Sequence, residues 1–311
     1  MHLTSQVKHV LSWYDGERPG VKANLARMLM HGRTGGSGRL LVLPVDQGFE
    51  HGPARSFSTN PEAFDPRYHF ELAIDAGVSA LAAPLGFLAA GADAYAGAVP
   101  LILKGNHADN LATTRNQAIT ATARDALELG CSAIGYTIYP GSDYQYEMFE
   151  EVRQGIAEAR AVGLPVIVWA YPRGGSISKE GETALDVVSY AAHIAALLGA
   201  HIIKVKPPTD RIEFEEARSA YATLGRDFGK LQERVGHVVQ SALAGRRLVL
   251  FSGGAAKTVE EMYAEVAGIV AGGGGGSIIG RNSFQRPKAE ALAMLAEIAD
   301  AYLADTKRGA P

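Results

Sequence analysis

From Leu40 onward the chain alternates two kinds of apolar pattern. Short apolar runs rich in branched residues read as strands: Leu40–Asp46, Val78–Pro84, Val99–Lys104, Ser132–Thr137, Pro165–Tyr171, His201–Lys206, Arg247–Ser252 and Gly276–Gly280. Between them lie longer stretches whose apolar residues recur at three and four. Thr114–Leu129, Tyr146–Val162, Thr183–Leu198 and Val259–Val270 show this period of an amphipathic helix. Gly77, Gly130, Gly163 and Gly199 close helical segments, where a left-handed C-cap is easily adopted. Strands alternating with helices in this number predict an α/β fold, a single (β/α)8 TIM barrel.

Residues 1–39 precede the first strand as an N-terminal helical extension, with a helix over Val21–Met30 and a Gly32–Gly38 linker; residues 40–311 form the barrel. The extension is expected to close the bottom of the barrel or to touch a neighbouring subunit. A doubly wound dinucleotide-binding sheet also alternates strand and helix. It requires Gly-x-Gly-x-x-Gly directly after the first strand, and here that strand runs into Asp46-Gln47-Gly48. The run Gly272–Gly276 precedes the last strand and so is expected at the bottom of the barrel, as a connection that binds no ligand.

Composition narrows the class without changing the fold. With 47% hydrophobic and 20% charged residues in 311, the chain reads as a soluble globular protein of barrel size. A formal charge of −3, with no run of like charges, argues against a nucleic-acid or membrane partner. The single Cys131 has no disulfide partner, and neither a signal peptide nor a membrane span is evident, so a cytoplasmic protein is expected.

In such a barrel the chemistry stands at the carboxyl ends of the strands. Asp46, Lys104, Trp169, Tyr171, Lys204, Lys206 and Ser252 occupy those ends. Alternation along the sixth strand puts Lys204 and Lys206 on one face and Ile203 and Val205 on the other, so both lysines point inward. Burial lowers an amine's pKa, and a neutral amine is what attacks a ketone. Alternation alone does not choose between the two, and pairing with carboxylates at the rim is the structural alternative. Trp169 and Tyr171 share a face, as core packing or as pocket wall, and the tyrosine hydroxyl is a candidate for proton transfer. Ser252-Gly253-Gly254 and Gly280-Arg281 end the last two strands, where many barrels bind phosphate. His51, His107, His193 and His201 show no zinc spacing, so no metal is expected; His51 and His107 remain candidate substrate contacts.

Several ordered blocks carry a family resemblance: Leu43-Pro44-Val45-Asp46-Gln47-Gly48 with Glu50-His51, Phe64-Asp65-Pro66, Val168-Trp169-Ala170-Tyr171-Pro172-Arg173, Ile203-Lys204-Val205-Lys206, Ser252-Gly253-Gly254 and Gly280-Arg281. From about Leu40 the chain resembles the archaeal-type class I fructose-bisphosphate aldolases, related to deoxyribose-phosphate aldolase-like barrels. The resemblance implies a Schiff base on Lys204, proton transfer by Tyr171, substrate hydroxyls held by Asp46 and a pocket shaped by Trp169. Ser252, Gly253, Gly254, Gly280 and Arg281 would then hold the C1 phosphate. From the residues themselves, Lys104, His51 and Lys206 are candidate substrate contacts, and Lys206 or Lys104 could supply the cation that lowers the pKa of Lys204; the resemblance adds Arg173. It also implies no cofactor beyond the lysine imine, a phosphorylated sugar substrate and a large homo-oligomer, an octamer or decamer.

The stretch Ile212–Ala244 reads as a long helical insert before the seventh strand, and substrate choice could change there. Rival readings keep the lysine: a related Schiff-base aldolase or transaldolase, a thiolase on another phosphorylated sugar, or a non-catalytic phosphosugar-binding barrel.

Overall fold

The computed structural model describes residues 2–252 and 258–308, without the side chains of residues 305–308. Its centre is a closed barrel of parallel strands. They are β1 (Leu40–Pro44), β2 (Ala80–Pro84), β3 (Leu101–Lys104), β4 (Ala133–Ile138), β5 (Val166–Ala170), β6 (Ile202–Val205), β7 (Leu248–Ser252) and β8 (Gly276–Ile278). Each pairs with its neighbours in sequence, and β8 closes on β1. The predicted TIM barrel is therefore present, its strands slightly shorter than the apolar runs suggest.

The helices are α1 (Ser5–Ser12), α2 (Pro19–Leu29), α3 (Pro66–Ala76), α4 (Ala123–Glu128), α5 (Gln145–Ala161), α6 (Leu185–Leu198), α7 (Leu231–Ser241), α8 (Val259–Ala271) and α9 (Lys288–Arg308), with the helix Glu215–Thr223 before α7 and short turns elsewhere. Local signals set their limits. Asp65 caps α3 by accepting from the Arg67 N–H at 2.9 Å, Pro66 occupies the first turn, and Gly77 ends the helix at φ 61°. Gly130, Gly163 and Gly199 also take positive φ where helical segments end.

Alternation sorts the core into two layers. Leu41, Leu43, Ile203, Val205 and Val249 face the outer helices. Leu40, Val42, Ile102, Ile202 and Leu248 face inward and meet Val7, Leu11, Leu25 and Leu29 of α1 and α2, which seal the lower end. The Tyr14 hydroxyl pins this seal. It donates to the His201 carbonyl at 2.6 Å and accepts from the Leu248 N–H at 3.2 Å. The glycine run near Gly274 lies at this end too, held by Arg39, whose guanidinium donates to the Gly274 carbonyl at 2.6 Å.

Three expectations need correction. The helix expected over Thr114–Leu129 is only α4, because Thr122 and Asp125 form a capping box that starts it late. Upstream of it, Ala118–Ile119 pairs antiparallel with Asn106–His107. The stretch Ile212–Ala244 is not one long insert: α7 is an ordinary barrel helix against α6 and α8, and only Glu215–Thr223 is additional. Finally, α1 was not foreseen; Thr4 caps it by accepting from the Val7 N–H at 3.2 Å.

Candidate active site

Lys204 lies near the end of β6, 5% exposed. Its register partner on β5 is Trp169. The Lys204 amine is 5.5 Å from the centre of the Trp169 ring and 5.4 Å from that of Tyr171. Gly135 on β4 leaves room for the indole, since a Cβ there would run into the Trp169 ring. Burial lowers the Lys204 pKa from 10.5 to about 8; Asp46 and Glu50 oppose the shift and Arg281 adds to it.

The amine opens into a cavity of about 570 Å³ at the carboxyl end of the barrel. Asp46, His51, Tyr171, Arg173 and Lys206 line it, as do Ser252, Gly280 and Arg281. These expected site residues are thus gathered around one lysine. Gly253 and Gly254 lie outside the described residues. Gly280 has a steric reason: a Cβ would come 2.8 Å from the Pro44 carbonyl oxygen, so glycine lets the last loop pass against the end of β1.

Tyr171 follows β5 directly. Burial, Asp46 and Glu50 hold its hydroxyl well above the usual tyrosine range, and a hydrogen bond with the Ser252 side chain works against them. The Arg173 guanidinium lies 4.7 Å above the Tyr139 ring and 5.9 Å from that of Tyr171. Burial lowers the His51 pKa, with Arg281 and Arg55 adding to the effect, and its Nδ1 is 3.0 Å from the Asn110 side-chain amide.

Four expectations shift here. Lys206 does not serve as the cation beside Lys204; its amine turns to the buried Glu182 carboxylate at 3.3 Å, which also binds Lys179 at 3.0 Å and faces Arg115 at 3.7 Å. Lys104 is 1% exposed and lies outside the cavity lining, with its amine donating to the backbone and side-chain oxygens of Asn106. Burial brings it to about 8, with Asp46 and Glu50 opposing and Lys204 reinforcing. Direct substrate contact does not suit it. His107 is stacked under Phe49 at 4.4 Å and bonded to Thr120 at 2.7 Å, away from the cavity lining. Trp169, 1% exposed, is not among the residues that line the cavity.

The sequence reading gave no role to Glu50, Asn106 or Glu182. Asn106 accepts from the Thr137 N–H at 2.6 Å and donates to its carbonyl at 2.8 Å, which locks the Lys104 site to β4. Glu50 has a sequence signal, since it follows Asp46 by four residues on a helical turn. Glu182 has none, because the cations that surround it come from three separate segments. Among the described residues, no group of three or more His, Cys, Asp or Glu side chains could hold a metal ion.

Comparison with known proteins places this geometry. Residues 40–286 match the model of the DeoC/LacD family aldolases. A probable fructose-bisphosphate aldolase class 1 of Chlamydia muridarum is 36% identical over 301 residues, covering 92% of this chain and 85% of that protein. The fructose-bisphosphate aldolase class 1 of Thermoproteus tenax is 38% identical over 251 residues, covering 80% of this chain and 84% of that protein. A solved archaeal fructose-1,6-bisphosphate aldolase, with its catalytic lysine covalently bound to the carbinolamine intermediate of the substrate, superposes with a TM-score of 0.73 at 33% identity. It spans 89% of this chain and 98% of its own.

Proposed function

Because the chain belongs to the DeoC/LacD family of aldolases, we propose that it reversibly cleaves fructose 1,6-bisphosphate into dihydroxyacetone phosphate and glyceraldehyde 3-phosphate through an imine on Lys204. The observation that carries this reading is the buried Lys204 amine, at about 8, opening into a cavity that Arg281 and Ser252 also line. At pH 7 an amine of that pKa is neutral in roughly one molecule in ten, against about one in three thousand for an ordinary lysine. Burial therefore supplies the nucleophile without a separate base.

In this mechanism neutral Lys204 adds to the C2 ketone, and the carbinolamine loses water to give a protonated imine. The C4 hydroxyl gives its proton to a carboxylate of the cavity wall, the imine withdraws the electron pair of the C3–C4 bond as it breaks, glyceraldehyde 3-phosphate leaves, and an enamine remains. Tyr171, which keeps its proton at neutral pH, protonates the enamine at C3. Hydrolysis then frees dihydroxyacetone phosphate. Asp46 holds substrate hydroxyls, and Arg281, Ser252 and Gly280 take the C1 phosphate, Arg281 by charge-assisted hydrogen bonds. The resemblance also supports a cytoplasmic homo-oligomer, whose subunit count light scattering reads.

Borohydride added with dihydroxyacetone phosphate should fix the reduced triose phosphate on Lys204, and peptide mass mapping locates it. An unmodified chain overturns the imine. Lys204→Met separates catalysis from simple binding: the aldolase loses turnover yet still binds phosphosugar, whereas a binding protein loses nothing but affinity.

A further inference from the structure

At the lower end of the barrel, away from Lys204, a cavity of about 350 Å³ lies between α1 and the starts of β7 and β8. Arg39 and Arg247 line it with Gln6 and His9 of α1, and among the described residues no carboxylate does. Val10, Trp13 and Val239 supply an apolar wall. Two guanidinium groups, no acid and an apolar surface together suit an organic anion. This cavity shares no lining residue with the one at Lys204.

Backbone carbonyls hold both guanidinium groups in place. Arg247 donates from Nε to the Ala200 carbonyl at 3.0 Å and from Nη1 to the Arg246 carbonyl at 2.7 Å, and its guanidinium lies 5.3 Å over the Tyr14 ring. Carbonyl partners leave its charge uncompensated. A guanidinium has five N–H groups in a planar fork, so a fork fixed in this way meets an oxyanion with donors to spare and little freedom left to lose. Arg39 donates to the Gly273 and Gly274 carbonyls at 3.2 and 2.6 Å. The glycine run, expected to bind no ligand, thus borders the cavity through Gly273 and Gly275.

The loop that delivers Arg247 is strained. Leu243 and Ala244 both stand at φ 57°, in the left-handed region that side-chain-bearing residues rarely adopt, and Gly245 follows at φ 76°. Among the described residues these two are the non-glycine positions with positive φ. Strain of this kind gathers at sites that bind or react, and here it turns the chain so that Gly245 and Arg247 reach the cavity.

We propose that this cavity binds a small organic phosphate, with its phosphoryl group on Arg247 and Arg39 and its apolar body against Val10 and Trp13. Inorganic phosphate alone leaves the apolar wall uncovered, and a neutral ring leaves the guanidinium charge unmatched. The site stands apart from the aldol chemistry proposed above and does not depend on it.

Phenyl phosphate carries both halves and serves as the probe. It is titrated into the full chain bearing Arg281→Ala, which weakens the phosphate contact proposed at the carboxyl end. Trp13, one of two tryptophans in the sequence, reports by fluorescence, and calorimetry reports the affinity. Saturable binding with a Kd below about 1 mM is expected, with inorganic phosphate competing more weakly. The fluorescence change should vanish in Trp13→Phe while the heat of binding remains. Arg247→Met should weaken binding at least about tenfold, the loss of a charge-assisted bond to phosphate. Gln6→Glu adds a negative charge to the lining at a partly exposed position and should weaken binding severalfold, which keeps the test open if Arg247→Met does not fold. Absence of saturable binding, or an affinity that both variants leave unchanged, overturns the site. So does binding found in the wild type and lost in Arg281→Ala, which belongs to the Lys204 cavity. Equal affinity for benzyl alcohol overturns the phosphate assignment.

Discussion

The Lys204 amine and the Trp169 indole are register partners whose contact, 5.5 Å from nitrogen to ring centre, is matched by that of Lys104 to the same ring. One indole thus serves two buried amines. A ring face attracts a cation, but by only about 0.5–2 kcal/mol, less than the hydration that burial removes. Both amines accordingly sit near 8 instead of 10.5.

This has a measurable sign. The folded pKa of Lys204 lies below its unfolded value, so between about 8 and 10.5 the unfolded chain binds more protons and stability rises with pH. Below about 8 the native state carries the full penalty. Lys204→Met should therefore abolish cleavage and raise the denaturant midpoint at pH 7, with a smaller gain at pH 10. An equal gain at both pH values overturns the explanation.

Arg281→Ala should raise KM for fructose 1,6-bisphosphate roughly ten- to hundredfold, the loss of a charge-assisted hydrogen bond to phosphate. The same variant should lose far less with a substrate that lacks the C1 phosphate. Steady-state kinetics on the two substrates decide it.

Glu182 is buried, yet Lys179 and Lys206 hold its carboxyl below the usual range despite the opposing effect of burial. Its stabilising contribution is present above the unfolded value of about 4.5 and fades as pH falls through the lower folded value. Because Lys179 and Arg115 are exposed and screened, Glu182→Gln should cost only about 1 kcal/mol at pH 7. Denaturation curves of the two proteins should converge below the folded pKa of Glu182.

At the other end of the barrel, Tyr14→Phe leaves a buried carbonyl and a buried N–H without their bridge. A loss of about 1–3 kcal/mol is expected in urea unfolding. Turnover at Lys204 should not change; a fall in kcat would show that the seal reaches the active site.

Alternation made the barrel legible, because inward and outward residues of each strand differ in kind, and it placed Lys204 and Trp169 inside. It failed where a segment's partner lies far along the chain. Thr114–Thr122 has helical spacing, yet Ala118 and Ile119 pair with Asn106 and His107. The residues around Lys204 were readable as strand ends, but charge relations were not: parity put Lys206 beside Lys204, and only the position of Glu182 in space explains why its amine turns away. Glu50 stands four residues from Asp46 in the sequence, but that it lines the same cavity follows only from the turn Gln47–His51.

The seal formed by α1 and α2 beneath the barrel governs traffic in the proposed reaction. In that reaction substrate and both products use the end of the barrel above Lys204, where the cavity lies. The triose bound to the lysine stays until the aldehyde has gone, and in the reverse direction the ketone must be docked before the aldehyde arrives. Closing one end of the barrel thereby imposes a queue at the other.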